Sequence, residues 1–274
     1  MIGVIGGSGL YDLAILENPE TVEVTTGYGP PSSPITVGTV AGRSVAFLAR
    51  HGIGHRLTPG EVPYRANLAA LRELGARHVV AVSAVGSLTP RLRPGTLVVP
   101  DQLVDRTKGI RAGSFFGSGV VGHVAMADPF CARMRTTLLS TGVAGVQDGA
   151  TYCCIEGPQF STRAESRLYQ SWGLDIIGMT AVPEAALARE AQLCYAALAL
   201  VTDYDCWHES AEPVSAGLVA QTMRDNVRTA REVLTAAVKS ADTETRCSCH
   251  DALAGAVITD PALIDDAARV RLAL

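Results

Sequence analysis

Apolar runs long enough to span a membrane are missing from this chain: even Leu193 to Val201 is a single strand's worth. The start, Met1-Ile2-Gly3-Val4, has no charged signal-peptide region, so a cytoplasmic protein without membrane contact is expected. Clustered basic residues are missing too. The 23 Lys and Arg are scattered and the formal net charge is -4, which argues against nucleic-acid binding, because counterion release needs a basic surface. A small-molecule partner is expected instead.

The cysteine count excludes a closed disulfide framework, since seven is odd, and Cys131, Cys153, Cys154, Cys194 and Cys206 lie in apolar contexts that suit core filling. Cys247-Ser248-Cys249-His250 lacks an obvious second ligand pair at zinc spacing, and haem attachment would need two residues between the cysteines. A local disulfide or free thiols are therefore expected there, and no metal.

What is present is a globular composition. With 274 residues, 47% hydrophobic and 18% charged, the chain can bury one large core, and a single domain over residues 1–274 is the simplest count. Its tail, residues 241–274, carries the Cys-Ser-Cys motif and a terminal helix from Pro261 to Leu274.

Strand-length apolar runs alternate with helical periodicity. Met1 to Ile5, Ser44 to Leu48, His78 to Ser83, Thr96 to Val99, Thr151 to Ile155, Ile176 to Met179 and Cys194 to Val201 read as strands. Pro63 to Leu74, Phe130 to Ser140, Thr162 to Trp172, Val182 to Ala191 and Val214 to Ser240 read as helices. That alternation predicts an α/β fold with a mixed, largely parallel central sheet flanked by helices. Gly109 to Gly122, rich in Gly and Ser, reads as a mobile or interface loop.

Ligands of such sheets sit at the carboxyl ends of the strands, where the chemistry-bearing residues of this chain fall. Gly6-Gly7-Ser8-Gly9 follows the first strand, so its amides can form an anion nest to which the Ser8 hydroxyl adds a donor. No further glycine stands at position 12, so a dinucleotide fingerprint is weak. Arg50-His51 offers a planar guanidinium fork and a second donor to an oxyanion. Ser83, Ala84 and Thr180 add two hydroxyls and an amide; routine strand-end hydrogen bonds are the alternative for Ser83 and Thr180.

Asp203 and Asp205 leave the last strand two residues apart, so extended backbone would aim both at one ligand, and their proximity and burial would raise one pKa into general-acid range. An Asx turn is the alternative. Phe160 beside Ser161 offers a ring and a hydroxyl to a flat heterocycle, or Phe160 is ordinary core.

These motifs resemble the 5′-methylthioadenosine phosphorylase family, within the purine nucleoside phosphorylase superfamily, over nearly the whole length. The matches run from Ile5-Gly6-Gly7-Ser8-Gly9-Leu10 through Ala49-Arg50-His51-Gly52, Glu156-Gly157-Pro158 and Val182-Pro183-Glu184 to Thr202-Asp203-Tyr204-Asp205. The resemblance implies a phosphorylase/hydrolase-like fold and a pentosyltransferase that needs no cofactor, inorganic phosphate being co-substrate. It implies phosphate held by Ser8, Arg50, His51, Ser83, Ala84 and Thr180, ribose at Met179, and the base at Asp203 and Asp205.

Further implications concern the 5′ pocket and assembly. Ala216 stands where a branched residue is usual, and Gly217 where an Asp is expected, so a larger 5′ group would be tolerated. Gly178 replaces a usual Asn. His123 matches a histidine that reaches a neighbouring subunit's site, implying a homotrimer or a hexamer built from it. Cys247-Ser248-Cys249 resembles thermophilic archaeal members, which implies a local disulfide, and the family implies purine and methionine salvage. A phosphorylase of adenosine, 5′-haloadenosine or inosine, a hydrolytic nucleosidase, and a silent nucleoside-binding protein are the alternatives.

Overall fold

The computed structural model describes residues 1–7, 15–208 and 215–272, with side chains throughout except at 216, 218, 220 and 223–225. Its centre is a mixed sheet in which β1 (Ile2–Gly6) lies between β4 (Arg43–Ala49) and β5 (His78–Ser87), parallel to both. The fully buried β11 (Cys194–Asp203) runs parallel along the other side of β5. Burial of both faces explains why these strands are continuous apolar runs.

Alternate residues feed two cores. Val80, Val82, Leu198 and Leu200 pack with α2 (Ala132–Leu139) and α5 (Ala216–Ser240). Val79, Ala81, Tyr195 and Ala197 pack on the other face with α1 (Tyr64–Glu73), α4 (Ala181–Glu190) and α6 (Asp266–Leu272). The helical spacing is plain in α5, where Val227, Ala230, Leu234 and Ala237 form the buried stripe. In α3 (Arg163–Ser171) a capping box fixes the start: Thr162 accepts from the Glu165 amide and the Glu165 carboxylate accepts from the Thr162 amide.

β5 outruns the sequence expectation by four residues, to Ser87, so Ala84 to Ser87 lie inside the strand rather than after it. Its partner through Gly86 is β11, while Gly86 and Ser87 also pair antiparallel with β10 (Ile176–Gly178). β10 leads on to β9 (Thr151–Ile155) and β7 (Gln102–Arg106). The sheet forks there. Close approach at the fork requires glycine, because a Cβ on Gly86 would lie 2.9 Å from Asp203 Oδ1.

Four strands escaped the sequence reading: β2 (Glu17–Val22), β3 (Ile35–Val40), β7 and β8 (Val146–Asp148). β2, β7 and β8 are sheet edges carrying polar residues, and β2 contains Pro19. At the end of the described chain, Ile264, Ala268 and Leu272 dock in the second core. The Gly109 to Gly122 loop is pinned rather than loose: Arg111 is buried in hydrogen bonds, and the Phe115 amide donates to Glu190 at 2.6 Å. Among the described residues no helix is long and apolar enough to cross a membrane.

Candidate active site

A cavity of about 600 Å³ opens in the fork, a size suited to a nucleoside. Its wall includes Arg50, His51, Ser83, Ala84 and Thr180 at one end and Phe160, Ser161, Met179, Asp203 and Asp205 at the other. Gly7 lines it as well, but its amide already donates to Val82 O at 3.0 Å, which removes one donor from the expected nest. Ser8 lies outside the described residues, as does the side chain of Ala216, the first residue of α5.

Arg50 directly follows β4 and is 1% exposed. Contrary to the sequence expectation, its fork faces a protein carboxylate: Nε donates to Glu184 Oε2 at 2.8 Å and Nη2 to Glu184 Oε1 at 2.9 Å. Nη1 donates to Val82 O at 3.0 Å, and the Tyr195 hydroxyl donates to Glu184 Oε1 at 2.8 Å. Of the five guanidinium donors two stay free of these bonds, one on each terminal nitrogen. The clamp fixes the plane of the arginine and leaves those two N–H groups for an anion.

His51 also differs from expectation. Its Nδ1 is 2.9 Å from Leu57 O, an acceptor only, so Nδ1 carries the hydrogen. Burial, helped by the Arg50 charge, lowers its pKa from 6.5 to about 4, so the ring is neutral at pH 7. Nε2 is therefore an acceptor, matched to the hydroxyl of a protonated phosphate.

Thr180 precedes α4, makes no capping bond with its side chain and lines the cavity. Arg111 was missed from sequence. It binds Glu156 Oε1 at 2.6 Å, Glu156 O at 2.6 Å and Met179 O at 2.7 Å, so it holds the strand end that presents Met179. Neither Glu184–Arg50 nor Glu156–Arg111 is close in sequence, and nothing short-range signals such pairs.

At the other end Asp203 closes β11 and Asp205 follows in a turn with φ of 48°. The Asp205 amide donates to Asp203 Oδ1 at 2.8 Å, the Asx-turn alternative, yet both carboxyls still reach the cavity. Burial is the largest cause raising both pKa values; the charge of Asp203 adds less at Asp205. The Thr202 hydroxyl faces two acceptors, Asp203 Oδ2 at 2.7 Å and Val85 O at 3.2 Å, but has one hydrogen. The closer acceptor, Asp203 Oδ2, takes that hydrogen, and this bond to the ionised carboxylate works against the larger upward push of burial.

Phe160 is 42% exposed on the wall, so its ring is open to stacking rather than core. Ser161 Oγ is buried without a partner in the cavity wall. Gly178 has a local reason: the Tyr152 phenol occupies the space a side chain would fill. Gly178→Ala is expected to cost about 1–3 kcal/mol in denaturant titration, with Tyr152→Phe in the same chain recovering part of it. His123 is exposed and does not line this cavity in its own chain.

Comparison with known proteins agrees with this geometry. Residues 1–239 match the family model described as Phosphorylase superfamily. The S-methyl-5′-thioadenosine phosphorylase of Geobacter sulfurreducens is 48% identical, covering 100% of this chain and 97% of the relative; that of Hyperthermus butylicus is 51% identical, covering 94% and 95%. A crystal structure of methylthioadenosine phosphorylase from an Antarctic soil metagenomic library aligns with a TM-score of 0.91 at 49% identity, over 99% of this chain and 97% of that one. An adenosine/methylthioadenosine phosphorylase variant from Schistosoma mansoni, in complex with methylthioadenosine, aligns at 0.86 and 37% identity, over 93% and 96%. The chain belongs to the S-methyl-5′-thioadenosine phosphorylase family of the phosphorylase superfamily.

Proposed function

We propose that the chain catalyses phosphorolysis of 5′-methylthioadenosine to adenine and 5-methylthioribose 1-phosphate. The observation that carries this reading is the meeting of Arg50–His51 and Asp203–Asp205 across one nucleoside-sized cavity. Phosphate binds at the Arg50 end, where the two free N–H groups, the hydroxyls of Ser8, Ser83 and Thr180 and the Ala84 amide hold its oxygens. His51 Nε2 accepts a hydrogen bond from the phosphate's remaining hydroxyl and so turns a charged oxygen toward the sugar.

A phosphate oxygen attacks the anomeric carbon as the bond to purine N9 breaks. The sugar passes through an oxocarbenium-like state for which phosphate is both nucleophile and counter-charge. The electron pair of the broken bond enters the purine, and Asp203 delivers a proton to N7, so adenine leaves neutral. Asp205, Ser161 and the Phe160 ring hold the base, and Met179 meets the ribose.

The 5′ substituent lies toward α5, which begins at Ala216, and His123 of a second copy completes that pocket in a homotrimer. Its exposure, and the fact that it does not line the cavity of its own chain, support this role.

Adenine release from methylthioadenosine, followed with and without phosphate, tests the reading. Release in phosphate-free buffer is expected to fall by about two orders of magnitude or more, because the nucleophile is gone. Unchanged release would make the chain a hydrolytic nucleosidase.

A further inference from the structure

The second ligand pair missing near Cys247-Ser248-Cys249 is supplied by the fold. Cys131 is the residue before α2, Cys194 opens β11, and Cys247 and Cys249 lie at the short 3₁₀ turn Ser248–Asp251. All seven cysteines are thiols, so the local disulfide implied for Cys247 and Cys249 is not formed. The sulfurs of Cys131, Cys194, Cys247 and Cys249 instead all lie within 4.8 Å of one another. Cys131 Sγ and Cys247 Sγ are 3.7 Å apart. A disulfide needs about 2.05 Å, whereas four Zn–S bonds of about 2.3 Å set tetrahedron edges near 3.8 Å.

Two imidazoles flank the sulfurs. His250 Nδ1 accepts from the Cys247 amide at 3.4 Å, so Nε2 carries the hydrogen, and it points at Cys194 Sγ, 3.4 Å away. His78 is fully buried, and neither ring nitrogen has a hydrogen-bond partner, although a ring nitrogen lies within 4.8 Å of ligand atoms of Cys194 and His250. An orphaned buried N–H costs free energy that a nearby thiolate would offset. Four thiolates around a divalent ion also leave excess negative charge, which N–H donors spread. Cys247 is only half-buried and gives an ion a way in.

We propose that Cys131, Cys194, Cys247 and Cys249 form a structural zinc site, with His250 and His78 as hydrogen-bond donors to its sulfurs. Binding displaces the thiol protons and forms four Zn–S bonds without any change of oxidation state. The ion ties the tail to β11 and α2, at the end of β11 away from Asp203.

The test uses the whole chain, produced with zinc in the medium and purified without a nickel column. Elemental mass spectrometry is expected to find about one zinc per chain, the ratio of a closed four-ligand site. Thiol titration in denaturant is then expected to count all seven cysteines. Cys249→Ser and Cys131→Ser should each lower bound zinc by about tenfold or more. Cobalt added to metal-free, reduced wild-type protein should give the intense visible absorption of a tetrahedral thiolate complex, a readout that stands even if the serine variants fail to fold. Zinc-free protein in which the four cluster thiols escape titration would mean disulfides and overturn the proposal. Reduced protein that takes up neither zinc nor cobalt would overturn it equally.

Discussion

Asp203→Asn is expected to lower kcat for methylthioadenosine by about 10²–10⁴, the usual worth of a general acid. Asparagine keeps the shape, can still accept from the Asp205 amide, and can hydrogen-bond to N7, but it has no proton to transfer. The pH profile separates this role from a structural one. Burial raises the Asp203 pKa, and only the protonated form is the donor, so wild-type kcat falls as pH rises through that raised value. The variant should lose this alkaline limb. It should also narrow the preference for 6-aminopurine over 6-oxopurine nucleosides, because the amide offers an N–H where Asp203 offers an acceptor. Steady-state rates at saturating phosphate across pH check both; a variant with near-wild-type kcat and an unchanged limb would remove Asp203 from the proton path.

Glu184→Gln is expected to give the largest loss of stability. Arg50 and Glu184 are each 1% exposed, and a buried pair that loses one charge costs about 3–5 kcal/mol, on the order of 10 °C in Tm for a chain of this size. The sign of the ligand effect is the sharper check. With the carboxylate gone, phosphate becomes the remaining counter-charge for the Arg50 guanidinium, so it should raise the Tm of the variant more than that of the wild type. Equal shifts in thermal melts would mean that Glu184 does not set the charge of this end. Tyr195→Phe, which removes one hydrogen bond to the same carboxylate, should cost less, about 1.5–3 kcal/mol.

These two sites also show what could be read without coordinates. The central strands were legible because burial on both faces writes them as apolar runs, Cys194 to Val201 above all. β2 was not, because an exposed edge strand reading Glu-Asn-Pro-Glu carries no such pattern. The cavity residues were legible because strand ends collect them, and the resemblance ordered them. Their local chemistry was not. Whether the Arg50 fork met phosphate or Glu184 depended on a residue 134 positions away. Whether His51 donates or accepts depended on Leu57 O and on burial. Asp203 and Asp205 converge through a turn, where extended alternation had been expected. The four thiols required a topology that brings positions 131 and 194 beside the tail.

β11 carries Cys194 at its first residue and Asp203 at its last. At about 3.3 Å per residue the two lie some 30 Å apart, beyond the reach of direct contact or of screened charge. Changes in how the tail is anchored at one tip and in the choice of purine at the other can therefore proceed separately. Descendants of such a chain are free to gain or lose the thiols while keeping their substrate, and to change substrate while keeping the thiols.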